Sequence, residues 1–279
     1  MCCFSGHVES LRTTRIFARP SGGGRQVLVY GLGAAAQGDM AMILPLPVAP
    51  RVGEDGLRFI DLSGYATFFD DLERGFPRPR QLDLETEALA GDAPLRAQRL
   101  TVHQVGDFEA SFVPRLADFE RLDPRFRLPG AVWSELPGYA EHGFAVFKLR
   151  FGEAARATEP APGLWARLFG GAPAPRAPTL RDFHPMAFEL PLRDPTQIFF
   201  PTLHIHDGQV RATAHFDHVL YAQPRVADPQ HLRAFGEESI APVGEFMNLG
   251  RAAGVLDAAL PCYKDAVQGM KTNRDILVP

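Results

Sequence analysis

The feature that most constrains this chain is its punctuation: apolar, β-branched runs are cut off by Gly or Pro before a long helix could form. Residues 13–19 (TTRIFAR), 25–32 (RQVLVYGL) and 39–46 (DMAMILPL) read as strands, with the turn Ser21-Gly22-Gly23-Gly24 between the first two. Together they predict an antiparallel meander. Pro45, Pro47 and Pro50 lack backbone donors and are expected to end the third strand or hold it at a sheet edge.

Helical periods are brief. In residues 64–74 (GYATFFDDLER), Tyr65, Phe68, Phe69 and Leu72 share a face opposite Asp70, Asp71, Glu73 and Arg74, predicting a short amphipathic helix. Residues 114–122 (PRLADFERL) predict a second, with Pro114 in its first turn. Residues 98–105 and 143–151 alternate as strands, residues 182–206 hold two more, and the last sixty residues read as helical and irregular. Gly31-Leu32-Gly33 lacks the third glycine and following helix of a dinucleotide site and is read as a turn. No regular βαβ repeat emerges, so the expected class is α+β, mainly antiparallel sheet with short, irregularly placed helices. Residues 1–279 are expected to form a single domain carrying a mobile Pro/Ala-rich insertion at about 154–179. Within it, Leu164 to Phe169 (LWARLF) can form a docking helix, so a protein partner through 155–178 is one expectation.

Composition narrows the classes. A net charge of −4 supplies no positive field for phosphates, so nucleic acid is not an expected partner. No window approaches the roughly 18 apolar residues that span a bilayer, and the start Met1-Cys2-Cys3-Phe4 lacks a basic and apolar leader. No membrane partner is expected, and the expected compartment is cytoplasmic, where thiols stay reduced and three cysteines are not a disulfide framework.

Several segments resemble a family of uncharacterised bacterial proteins catalogued only as a domain of unknown function. They are the cysteine cluster Cys2-Cys3-Phe4, Arg15-Ile16-Phe17, the block Ala41-Met42-Ile43-Leu44-Pro45-Leu46-Pro47 preceded by Met40, and Val105-Gly106-Asp107-Phe108. Residues 116–129, Tyr139, residues 144–149 and residues 185–201 extend the likeness over roughly the first 220 residues. The resemblance implies a shared fold and an exposed N-terminal thiol, and no substrate. Family members are typically exported, whereas this chain opens directly on its cysteines.

The chemistry-bearing stretch is Thr202-Leu203-His204-Ile205-His206-Asp207-Gly208, followed by His215-Phe216-Asp217-His218. On a strand, His204 and His206 share a face about 6.6 Å apart while Leu203 and Ile205 face the core. Asp207-Gly208 predicts a two-residue hairpin turn that sets His204 opposite Arg211 and Phe200 opposite His215. His215 then lies on the His204 face but about 13 Å along. His218 falls on the other face, and Asp217 is placed to orient a ligand. Removal of Met1 would give Cys2 a free amine as well as a thiol, with Cys3 a second sulfur ligand or resolving thiol. The expected function is therefore metal binding, copper before zinc and redox-active with copper, through Cys2, Cys3, His204, His206 and His215. A small molecule or metal ion is the expected partner.

Two other classes remain open. Cys2 with its own α-amine as base would make an N-terminal nucleophile amidohydrolase. The absence of a complete catalytic motif equally suits a non-enzymatic interaction or scaffold protein. Solvated imidazoles are the plain alternative for the histidines, and a small buried hydrophobe for Cys262.

Overall fold

A strand that is apolar on both sides must be covered on both sides, and the two best strand runs of this sequence are of that kind. In the computed structural model, which describes residues 3–36, 38–76, 102–151, 180–224 and 235–279, every residue of 40–46 is buried, as are all but the first of 25–31. Such strands sit inside a multilayer arrangement and do not face water.

In chain order the strands are β1 (Cys3–Phe4), β2 (Ser10–Leu11), β3 (Thr14–Gly22), β4 (Arg25–Gly31), β5 (Gly33–Ala35), β6 (Met40–Leu46), β7 (Arg58–Asp61), β8 (Val102–Val105) and β9 (Phe108–Val113). They continue as β10 (Gly143–Leu149), β11 (Arg181–Asp182), β12 (Met186–Pro191), β13 (Ile198–Phe200), β14 (Thr213–Ala222), β15 (Glu237–Glu238), β16 (Tyr263–Thr272) and β17 (Ile276–Val278). The α-helices among the described residues are short, α1 (Phe68–Glu73) and α2 (Gly130–Ser134), with 3-10 turns such as Leu116–Arg121 between strands.

Two large sheets organise the fold. One is antiparallel in the order β1-β6-β10-β9-β8, and the other is mixed in the order β15-β16-β14-β3-β4-β12-β7. In the mixed sheet β14 runs parallel to β3, His218 lying beside Thr14 and Ala222 beside Ala18. Small sheets β11-β5-β2 and β13-β17 close the ends. Between the large sheets lies a core of Ile16, Leu28, Tyr30, Met42, Leu44, Phe108, Phe147, Phe188 and neighbours. Behind the mixed sheet, Tyr65, Phe68, Phe69 and Leu72 of the α1 region cover Phe17, Val29 and Tyr221. Behind the antiparallel sheet, Phe119, Phe126, Val132 and Trp133 cover Ile43, Phe144 and Val146, joined by Cys3, Leu203 and Ile205. The fold is thus largely β, with the short helices serving as outer covers.

Hydrogen bonds fix those covers. Glu73 accepts from the Tyr221 hydroxyl at 2.6 Å and from Lys264 Nζ at 3.0 Å, locking α1 to β14 and β16. Gly31 ends β4 against the Phe69 ring, where a Cβ would come within 2.6 Å, so close approach and not phosphate binding accounts for this glycine.

Several expectations change. β3 and β4 form the expected hairpin, but β6 leaves it for the other sheet, so there is no three-stranded meander. Pro45 does not end β6 and stands opposite Phe144. On the other side the described residues of β1 pair with Met42 and Ile43. The second amphipathic segment is 3-10, not α, and the last sixty residues contain the ten-residue strand β16, whose polar alternation hides its pairing with β14. The Asp207-Gly208 hairpin does not form: β13 pairs with β17, and β14 begins only at Thr213. The insertion at 154–179 lies wholly outside the described residues.

β13 is held to the mixed sheet by one buried side chain. Gln26 donates from Nε2 to the Phe199 carbonyl at 2.7 Å and accepts from the Phe199 N–H at 3.0 Å. Gln26→Leu keeps the volume but strands both groups, and is expected to lower unfolding free energy by about 2–4 kcal/mol in urea denaturation.

Candidate functional site

Residues 201–206 follow β13 but make no ladder of their own, apart from an isolated parallel bridge between Ile205 and Cys3. Their backbone groups are taken up by side chains from the turn between β16 and β17. Asp275 Oδ1 accepts from the N–H groups of Thr202 (2.7 Å) and Leu203 (3.0 Å). Asn273 Oδ1 accepts from the His204 N–H at 2.8 Å, while its Nδ2 donates to the His204 carbonyl at 2.9 Å. Phe4 N–H donates to the Ile205 carbonyl at 2.9 Å. Asp207 accepts from Gln209 N–H and from the Arg211 guanidinium, shaping the turn around Gly208, whose φ is 72°.

This frame sets two imidazoles side by side. The ring centroids of His204 and His206 are 5.6 Å apart, and His204 packs on Phe216 at 4.4 Å and His218 at 5.1 Å. His206 lies 5.9 Å from the Phe4 ring. Both rings line a cavity of about 200 Å³ with Arg211, Thr213, Ala214, His215 and Asn273. His204 is only 6% exposed, and neither of its ring nitrogens has a hydrogen-bond partner, nor does Nε2 of His206. The Thr202 backbone comes near His204 without reaching hydrogen-bond geometry. Buried polar atoms are normally matched, so three unmatched imidazole nitrogens at one cavity are a functional signal.

Burial also fixes their charge. It holds the His204 imidazole down to about 2, with protonated His206 adding to the effect. It holds His206 down to about 4, Arg211 lowering it further and Asp207 opposing. Both rings are therefore neutral nitrogen donors at ordinary pH.

The sequence expectations fare unequally. His204 and His206 share a face as expected. His215 is exposed and contributes to the cavity rim. The imidazole that meets His204 is instead His218, expected on the wrong face, because the irregular 207–212 connection changes the phase of β14. No sequence signal could have found it, since the phase depends on the parallel register with β3. Its Nδ1 accepts from the Asp217 N–H at 3.2 Å. The Asp217 carboxylate accepts from the Thr13 hydroxyl at 3.0 Å. Cys3 is fully buried in the apolar layer with Leu203 and Ile205, the residues that alternate with the two imidazoles. Cys2 lies outside the described residues. Cys262 is buried, which pushes its thiol up and leaves it inert. Among the described residues no group of three or more His, Cys, Asp or Glu side chains is gathered as a metal cage, and no helix is long and apolar enough to cross a membrane.

No family model and no curated protein matches the chain. Among solved structures it is similar to baculovirus P35, with 9% identity over 99% of both chains and a TM-score of 0.47. A mutated baculovirus P35 after caspase cleavage gives 10% identity over 96% of this chain and 99% of that chain, with a TM-score of 0.46. A chain of the caspase-8/P35 complex gives 9% over 95% of each, with a TM-score of 0.38. Likeness at this level is not evidence for a shared activity.

The frame itself titrates. Burial raises the Asp275 carboxyl from 3.8 to about 6 against the opposing Leu203 and Thr202 N–H groups and the Tyr139 hydroxyl. Between those values the folded chain keeps a proton that the unfolded chain has lost, so this group makes stability fall as pH rises from 4 to 6. Asp275→Asn supplies the same acceptor without the charge. It is expected to raise the urea midpoint at pH 7 and leave it unchanged at pH 3.5, as equilibrium unfolding at the two pH values will show. His204 and His206 act with the opposite sign: unfolded imidazoles protonate below about 6.5, folded ones do not, so their contribution is lost as pH falls below that value.

Proposed function

We propose that this chain binds a single transition-metal ion at the His204–His206 pair, copper before zinc. The observation that carries the reading is the three unmatched nitrogens of two neutral imidazoles, the buried His204 and the half-buried His206, at one cavity. A neutral imidazole is the form that ligates, and metal–nitrogen bonds of about 2.0 Å suit rings whose centroids stand 5.6 Å apart. The near surroundings are Phe216, His218 and Phe4, and a site so poor in anionic donors disfavours a dipositive ion relative to Cu(I). His215 at the rim can approach the ion, and Cys2, outside the described residues, is the thiolate that would complete it. Redox activity belongs with copper and fails with it. The N-terminal nucleophile and scaffold readings rest on Cys2 and on residues 155–178, about which the described residues are silent.

Elemental analysis of untagged protein saturated with Cu(I) under reducing conditions is the deciding measurement. About one equivalent of copper is expected on the pre-organised-site argument. His204→Ala and His206→Ala should each lose most of it, His215→Ala only part, and His7→Ala, whose side chain lines a different cavity, none. Because the folded imidazoles stay neutral well below 6.5, bound copper should persist to about pH 5, not dissociating near 6.5 as ordinary histidines would dictate. Copper below about a tenth of an equivalent, or retention by both alanine variants, overturns the reading.

A further inference from the structure

An imidazole that makes no hydrogen bond of its own is not aimed by its ring. His204 is in that position, so its direction comes from its backbone and from packing against Phe216 and His218. Its backbone in turn lacks a strand neighbour: residues 201–204 belong to no ladder. Asp275 takes the N–H groups of Thr202 and Leu203, and at His204 itself a single amide replaces the ladder. Asn273 Oδ1 accepts from the His204 N–H, and Nδ2 donates both to the His204 carbonyl and to the Arg211 carbonyl, each at 2.9 Å. Its own backbone N–H donates to the Ala212 carbonyl at 2.9 Å. One residue therefore stitches the segment that bears the imidazoles to the segment that forms the far lip of the cavity, with Arg211 and Asn273 both in its lining.

We propose that Asn273 is the positioning residue of this site, setting where the His204 ring stands relative to His206 and how wide the cavity opens. The inference rests on the metal-binding reading for its purpose, though not for its geometry. The chemistry of the side chain is specific. A carboxylate at 273 keeps the acceptor but sets negative charge against two carbonyls, and alanine removes all three side-chain bonds. Neither change touches the Gln26–Phe199 bridge or the β13–β17 pairing, so the fold should survive both.

The test uses the full chain and two readouts, one without metal. In metal-free protein, His204 of the parent should resist diethylpyrocarbonate and give one sharp set of imidazole C–H resonances by NMR. In Asn273→Ala and Asn273→Asp it should become reactive and its resonances should shift and broaden, with far-UV circular dichroism unchanged. In a competition titration with Cu(I), affinity should fall about tenfold to a hundredfold, the usual cost of losing a group that orients a ligand. If the parent binds no copper yet Asn273→Ala frees the His204 ring, the positioning role stands and the metal reading alone fails. If a folded variant keeps His204 protected and keeps the copper affinity of the parent, the positioning role is overturned. Unfolding of both variants overturns it too, because a residue that only aims the site is not needed for the fold.

Discussion

The centre of this fold follows from strands that are apolar on both faces. A strand such as residues 40–46, buried at every position, has no side to give to water, so each large sheet needs a cover on its outer face as well as its partner on the inner one. The chain provides the covers from short pieces: α1 with its aromatic neighbours on one sheet, the 116–139 segment on the other. Because the covers are short, they are pinned individually. Glu73 between Tyr221 and Lys264 is the clearest pin, a partly buried carboxylate satisfied by a phenol and an ammonium.

The same economy shapes the candidate site. Leu203 and Ile205 complete the outer apolar layer beside Cys3, and that placement turns His204 and His206 the other way, onto Phe216 and Phe4. The imidazoles are thus a by-product of strand-like alternation in a segment that has no strand to pair with. Side-chain groups of Asn273 and Asp275 stand in for the missing ladder, at the cost of burying a carboxyl that resists ionisation.

Much of this was legible in the residues and some was not. The β-rich character, β3, β4, β6 and β10, the amphipathic α1 segment and the common face of His204 and His206 all follow from local patterns that the structure keeps. Pairing partners do not. Whether residues 209–221 return against 198–206 is decided by competition between a local Asp-Gly turn and distant strands. Distant strands win, since β13 gains Gln26 and β17, and β14 gains both β3 and β16. That outcome brought His218, expected on the other face, against His204. Asn273 and Asp275 were equally invisible, because nothing nearby in the chain marks a polar side chain that will serve backbone groups some seventy positions earlier.

The parallel pairing of β14 with β3 has a temporal side. Residues 14–18 wait through some two hundred residues of synthesis for their neighbours at 218–222, and loop closure over such a span makes folding slow. Until then β3 has β4 on one side and an open edge on the other, a template for foreign strands. The nascent chain therefore carries an open strand edge at residues 14–18 until residues 218–222 arrive, and a chaperone that shields this edge would be protecting the interval between the two halves of one sheet.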